Sequence, residues 1–175
     1  GRMVSPALSS DARVVAFASR EDLVGQNPDR NSEIFMFEGP VLKQFTHTLH
    51  ENNVQPSISS DGKLIMFSSG DETRKISGDG SRIYIKRSAD LFVVDRETQL
   101  ETLIRSAIPE LSVTSGRAVS NDGMRFVYSA SVAPNQTQVF MFDARDNSIR
   151  QLTQLGSRVA DVKLQPTISG DGKRV

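Results

Sequence analysis

One short signature recurs along this chain and limits what it can fold into. "SPALSSDARVVAFAS", "QPSISSDGKLIMFSS", "GRAVSNDGMRFVYSA" and "QPTISGDGKRV" each place an apolar residue and a serine before an aspartate, and apolar alternation after it. Asp-Gly between two alternating runs predicts a tight β-hairpin. Asp11, Asp61, Asp122 and Asp171 lie 50, 61 and 49 residues apart. Periods of about 40–50 residues with several strands per unit point to propeller blades.

Each copy reads as four strands. The first ends at the turn, with Leu8, Ile58, Val119 and Ile168 three residues before the aspartate, and Pro6, Pro56 and Pro166 opening three copies where the third has Arg117. Proline suits the first residue of a strand, where its missing N–H does least harm. The turn is Asp-Gly in three copies and Asp11-Ala12 in the first. Ala12 lacks glycine's ease at positive φ, so the first hairpin is expected to be the least regular. The second strand carries Val15, Ile65, Phe126 and Val175, with Phe17, Phe67 and Tyr128 two residues on, on the same face. The third is "EIFMFE" (33–38), "DLFVVD" (90–95) and "QVFMFD" (138–143), apolar on both faces and so buried on both. Phe67 and Phe140 are expected in the core. The fourth, 42–48, 100–105 and 149–154, is more polar, as an outer edge should be. No stretch shows a sustained helical period; residues 151–164 could hold one short turn at most.

The expected class is therefore all-β, with blades of four antiparallel strands at about 5–54, 55–115 and 116–164 and a partial blade at 165–175. Closed propellers use 4–8 blades. Three blades and a stub leave apolar end faces open, so the sequence reads as part of a larger propeller or as one whose ends another chain covers.

Composition narrows the partners. Lys plus Arg and Asp plus Glu both number 21, so the formal net charge is zero, which argues against a nucleic-acid or anionic-membrane surface. No apolar run approaches the ~20 residues of a membrane span. With no cysteine, disulfides and thiolate metal sites are excluded.

The copies resemble the bacterial TolB-type propeller repeat, also called PD40 or WD40-like, through "QPSISSDGKLIMFSS", "DLFVVDRET" and "IRQLTQ". The resemblance covers nearly the whole chain. It implies a propeller in a bacterial periplasmic or secreted setting.

Candidate sites are few. "GDETRKISGDGSRIYIKRSA", Gly70 to Ala89, reads as an insertion between the second and third strands of the second copy. Its Arg74, Lys75, Arg82, Tyr84, Lys86 and Arg87 would suit an acidic peptide, glycan or protein partner if the stretch is a loop. If it is a decorated hairpin they are structural, since "SRIYIKR" alternates like a strand. Asn27, Asp29, Asn31 and Glu33 put oxygens at alternate positions, as calcium needs, but the central glycine and distal glutamate of a calcium loop are missing, and these are ordinary turn formers. His47 and His50 would point to opposite faces of one strand, a poor metal geometry. The turn aspartates Asp11, Asp61, Asp122 and Asp171 are expected to be structural, accepting N–H groups of their own turns. No nucleophile elbow, metalloprotease motif or phosphate loop is present, and no cofactor is implied.

Two functions remain. One is a non-catalytic propeller scaffold that binds a protein, peptide or glycan. The other is the propeller portion of a larger hydrolase, a prolyl-oligopeptidase-like peptidase or a carbohydrate-active enzyme, whose catalytic part lies outside this chain.

Overall fold

Each serine-aspartate turn closes in the same way. In the computed structural model, which describes residues 4–156 and 164–175, the Ser59 hydroxyl donates to Asp61 Oδ1 at 2.7 Å and accepts the Leu64 N–H at 3.0 Å, while the Lys63 N–H donates to Asp61 Oδ1 at 3.0 Å. The same three bonds recur around Ser9 and Asp11, Ser120 and Asp122, and Ser169 and Asp171. They also recur at a fifth place, Ser77 and Asp79. The serine hydroxyl thus stands in for a ladder carbonyl and satisfies an N–H that the turn would orphan.

The fold is all-β, and every sheet is antiparallel. The first sheet runs in the order β1 (Val4–Leu8), β2 (Val14–Ser19), β3 (Glu33–Glu38) and β4 (Val41–Gln44). The second holds six strands: β5 (Asn53–Ile58), β6 (Ile65–Ser69), β7 (Glu72–Ile76), β8 (Arg82–Arg87), β9 (Asp90–Asp95) and β10 (Leu100–Arg105). The third has β11 (Arg125–Ala133), β12 (Gln136–Asp143) and β13 (Ser148–Gln151), and residues 112–119 touch its inner edge through the bridges Ser112–Ser129 and Val119–Phe126.

Six strands stand where four were expected, because the stretch Gly70–Ala89 is not a loop. It supplies β7 and β8, folded about Ser77 and Asp79. "ISGDGSRIYI" repeats "ISSDGKLIMF" position for position. β7–β10 therefore form a complete blade. β5 and β6 form only the inner half of another, joined to β7 by the single pair Ser69–Glu72.

The turns nest. Successive turns are linked by backbone bonds from Ser10 N to Ser60 O (2.9 Å), Ser60 N to Gly78 O (2.7 Å), Asp79 N to Asn121 O (2.7 Å) and Asn121 N to Gly170 O (2.8 Å). Gly62 (φ +77°) packs so closely on the preceding sheet that a Cβ there would lie 2.8 Å from Val14 Cγ2. Ala12 takes φ 56° and keeps the full set of turn bonds, so the first hairpin is as regular as the others. Ala12 is exposed, and no earlier turn among the described residues packs on it, which leaves room for a methyl group.

Between β7–β10 and the third sheet, Tyr84 stacks on Phe126 with centroids 4.7 Å apart, and its hydroxyl donates to Gly123 O at 2.8 Å. Leu91, Val127, Tyr128 and Ile168 complete that core. A smaller cluster joins Ala16, Ala18 and Ile34 to Ile65, with Phe67 partly buried. The opposite face of the first sheet is only partly covered: Phe17 and Phe35 are buried, while Leu8 is 52% and Phe37 39% exposed. The outer strands end earlier than expected, at Gln44 and Gln151, because threonines beyond them turn back: Thr46 Oγ1 accepts the Ile34 N–H and Thr153 Oγ1 accepts the Val139 N–H. The short turn expected within 151–164 falls largely outside the described residues.

Gly62→Ala is expected to destabilise by about 2–4 kcal/mol, from a left-handed alanine plus overpacking on Val14. Ala12→Gly should lie within about 1 kcal/mol of the parent. Urea unfolding midpoints at constant slope check both. Phe67 and Phe140 are only partly buried, so the large loss of about 3–5 kcal/mol belongs to Phe126→Ala, and Phe67→Ala should fall below it. Equal losses at both would contradict this assignment of the core.

Candidate functional site

The innermost strands converge on an axial cleft of about 260 Å³. Its wall is built from the ends of β1, β5 and β7, from residues 115–119, and from the middle turn residues Ser10, Ser60 and Gly78. Pro6 and Pro56 line it, as do Ala7, Ser57, Ser115 and Gly116. These small side chains keep the backbone accessible. Arg117 stands exposed in the lining, held at 2.7 Å from Asn121 Oδ1.

Beside the cleft lies a buried cation. Lys75 is 2% exposed, and its Nζ donates to Ser115 O at 3.2 Å. Burial without a compensating carboxylate brings its pKa down to about 8. Tyr84 pairs with Lys75 across β7 and β8, and burial pushes its hydroxyl well above the ordinary tyrosine range.

Strand parity divides the six side chains read as an insertion-loop set. Lys75, Arg82, Tyr84 and Lys86 share the face that meets the third sheet, where Tyr84 stacks and the Arg82 Nη1 lies 2.7 Å from Met124 Sδ. Arg74 and Arg87 are on the opposite face. There both bond Glu72, Arg87 also bonds Glu101 at 3.2 Å, and its guanidinium lies 5.0 Å over the Phe92 ring. The structure does not bring the six together. The sequence could have shown this through Ser77 and Asp79, which put the stretch in register with the other hairpins.

The alternating oxygens also separate. Asn27 is buried and donates to Asn31 O at 3.1 Å, and Asp29 Oδ2 accepts the His50 N–H at 3.2 Å. Asn31 donates to the carbonyls of Thr48 and Glu51. Glu33 is fully buried and accepts bonds from Thr46 Oγ1, from the Thr48 N–H and hydroxyl (2.6 and 2.8 Å), and from Asn53 Nδ2 (2.9 Å). Burial raises its carboxyl, but these donors outweigh burial and hold it below its ordinary value. Gln138, at the matching place in β12, receives Thr153 in the same way at 2.7 Å. Glu33 thus fastens the chain beyond the outer strand. His47 and His50 lie past the end of β4, with His47 Nε2 3.1 Å from Gln26 Oε1. No group of three or more His, Cys, Asp or Glu stands together among the described residues.

These sheets, nested about one axis, define a β-propeller. The comparisons with solved structures agree. TolB from Acinetobacter baumannii aligns with a TM-score of 0.64 at 15% identity over 98% of this chain and 47% of its own. The TolB-designated protein of Agrobacterium tumefaciens gives 0.58 at 15% identity, over 85% and 64%. A puromycin-hydrolysing peptidase of Mycobacterium tuberculosis gives 0.58 at 13% identity, over 95% and 30%. The fold is a TolB-like propeller, and the chain spans about half the length of the first of these structures and less than two thirds of the second. No protein-family model and no curated protein matches the sequence. No helix among the described residues is long and apolar enough to cross a membrane.

Lys75 makes stability depend on pH in a definite direction. The unfolded chain holds this proton up to about 10.5, the folded chain only to about 8. Between those values the unfolded state binds more protons, so stability rises with pH. Relative to Lys75→Met, the parent should gain up to about 3 kcal/mol from pH 8 to 10.5. Paired urea titrations across that window measure it, and a flat difference would contradict burial of an unpaired ammonium.

Proposed function

We propose that this chain is a non-catalytic propeller scaffold that binds a protein, peptide or glycan partner at its axial cleft. The observation that carries the reading is the cleft itself: innermost strands and turns that present backbone groups past serine, glycine, alanine and proline, with Arg117 in the lining. A concave site on a rigid frame with a few polar groups fits recognition. Arg74 on β7 and Arg87 on β8, both exposed, offer a second polar surface for the same partner. The TolB likeness supports a protein-binding role and a periplasmic or secreted setting.

A second reading makes this chain the propeller portion of a larger hydrolase. The mycobacterial peptidase supports it, because this chain matches 30% of that protein's length. Labelling of the native gene product by a fluorophosphonate probe would favour this reading over the first.

Ser115→Trp tests the cleft directly. Its side chain would fill the cavity, while its backbone carbonyl would still accept Lys75. The partner recovered from an envelope extract by the parent should be lost at least tenfold by this variant at an unchanged far-UV spectrum. Equal recovery by the two proteins overturns the axial site.

A further inference from the structure

β5 and β6 stop where every neighbouring sheet continues. β6 has β5 on one side, and on the other it pairs with β7 only at Ser69–Glu72. The alternation of the ladder tells which groups are left over. Ser59 and Leu64 are bonded across the hairpin, so Ile58–Ile65 is a non-bonded pair and Ser57–Met66 a bonded one. The N–H and C=O of Ile65 and Phe67 therefore point away from β5, to the side that a third strand occupies elsewhere.

That side is a slot between two walls. On one side stands the face of the first sheet that packs on Ile65, carrying Met36, Lys43 and Phe45. Phe45 is 43% exposed and meets Phe67 edge-on at 6.5 Å. On the other side stands the face of β7–β10 that carries Ile76, Ile85, Phe92 and Leu103, with Leu103 51% exposed. β3 and β4 pair with neither β9 nor β10. An open cleft of about 570 Å³ sits at the β6–β7 corner, lined by His50, Glu51, Asn52, Val54, Ser69 and Gly70. Ser68 Oγ, on β6 itself, is buried without a hydrogen-bond partner.

We propose that an extended peptide segment of a partner protein adds to the open edge of β6 as the missing third strand, apolar on both faces and flanked by acidic residues. Its chemistry is set by the equivalent slots in this chain. They hold "EIFMFE", "DLFVVD" and "QVFMFD", each between a second and a fourth strand. A segment of that pattern pairs its backbone with Ile65 and Phe67. It sets one row of side chains against Met36 and Phe45 and the other against Phe92 and Leu103. Strand addition of this kind draws affinity from main-chain bonds and specificity from alternate side chains. The edge is separate from the axial cleft, so either site can fail without the other.

The probe is a fluorescein-labelled synthetic peptide, ADLFVVDRE, the sequence of residues 89–97, titrated into the full chain and followed by polarisation. Saturable binding is expected. Two alternately N-methylated versions decide the mode: one set should lose at least tenfold in affinity and the other should retain it, because only one peptide edge faces β6. Leu103→Glu and Phe45→Glu, at exposed wall positions, should each weaken binding at least tenfold with unchanged urea midpoints. The proposal is overturned by absence of saturable binding, by equal behaviour of the two N-methylated sets, or by wall variants that bind like the parent. It is also overturned if the chain forms a concentration-dependent dimer that Leu103→Glu breaks while the peptide stays unbound, since the occupant would then be a second copy.

Discussion

The structure depends on a hydroxyl placed two residues before a carboxylate. Each such serine ties its own turn shut from both sides, donating to the aspartate and accepting the N–H five residues on. The backbone N–H of the residue between them, or at the Ser77 turn that of Asp79 itself, is then free to bond the next turn. One local motif therefore does two jobs: it starts a hairpin, and it links that hairpin to its neighbour about the axis. The carboxyl of Asp61 is held below its ordinary value first by the Ser59 hydroxyl and then by the Lys63 N–H.

The linkage between turns asks only for a turn and two strands, which explains how the sheet of β5 and β6 can end early. The next turn follows Asp61 after 18 residues, at Asp79, yet the chain of backbone bonds passes through it without a break. Outer strands are a second, separable layer. They are secured near the start of the third strand, where Glu33 and Gln138 receive threonines from beyond the fourth, and where Asp90 accepts the Ala107 N–H at 2.9 Å. Removing that layer from one unit leaves the inner ring in place.

This division also explains what could be read from the letters. Turns built from serine, aspartate and glycine were legible, because the side chains that close them are named in the sequence. So were the third strands, whose double-sided apolar pattern has one outcome in a stacked sheet. Ser77 and Asp79 carry the same signature, but expecting one turn per 50 residues turned them into an insertion. Once that spacing was imposed, Lys75 and Tyr84 stood between a binding loop and a decorated hairpin; the hairpin is what forms, and strand parity places both residues in the seam between sheets. Periodicity was the weaker guide and the turn chemistry the stronger, since hydrogen bonds act at fixed distance while loop lengths vary freely. Outer-strand ends were misjudged for a related reason. Threonine favours strands, and nothing local reveals that Thr46 and Thr153 spend their hydroxyls on an acceptor more than a dozen residues earlier.

An unpaired edge between apolar walls is a liability in water, and proteins guard such edges with charge, bulges or proline. The surroundings of β6 carry such guards at the margins. Gln55 sits at φ 53° within a register shift between Val54 and Ser57, and Glu72, Arg74, Arg87 and Glu101 rim one wall in an ion-pair network. Exposed pairs of this kind add little to stability, with a median near 0–1 kcal/mol. What they do is surround Phe92 and Leu103 with groups that stay hydrated. The middle of the edge, at Ile65 and Phe67, has no such protection. Guarding the rim while leaving the centre bare disfavours broad, nonspecific contact and still admits a single narrow strand that fits between the walls.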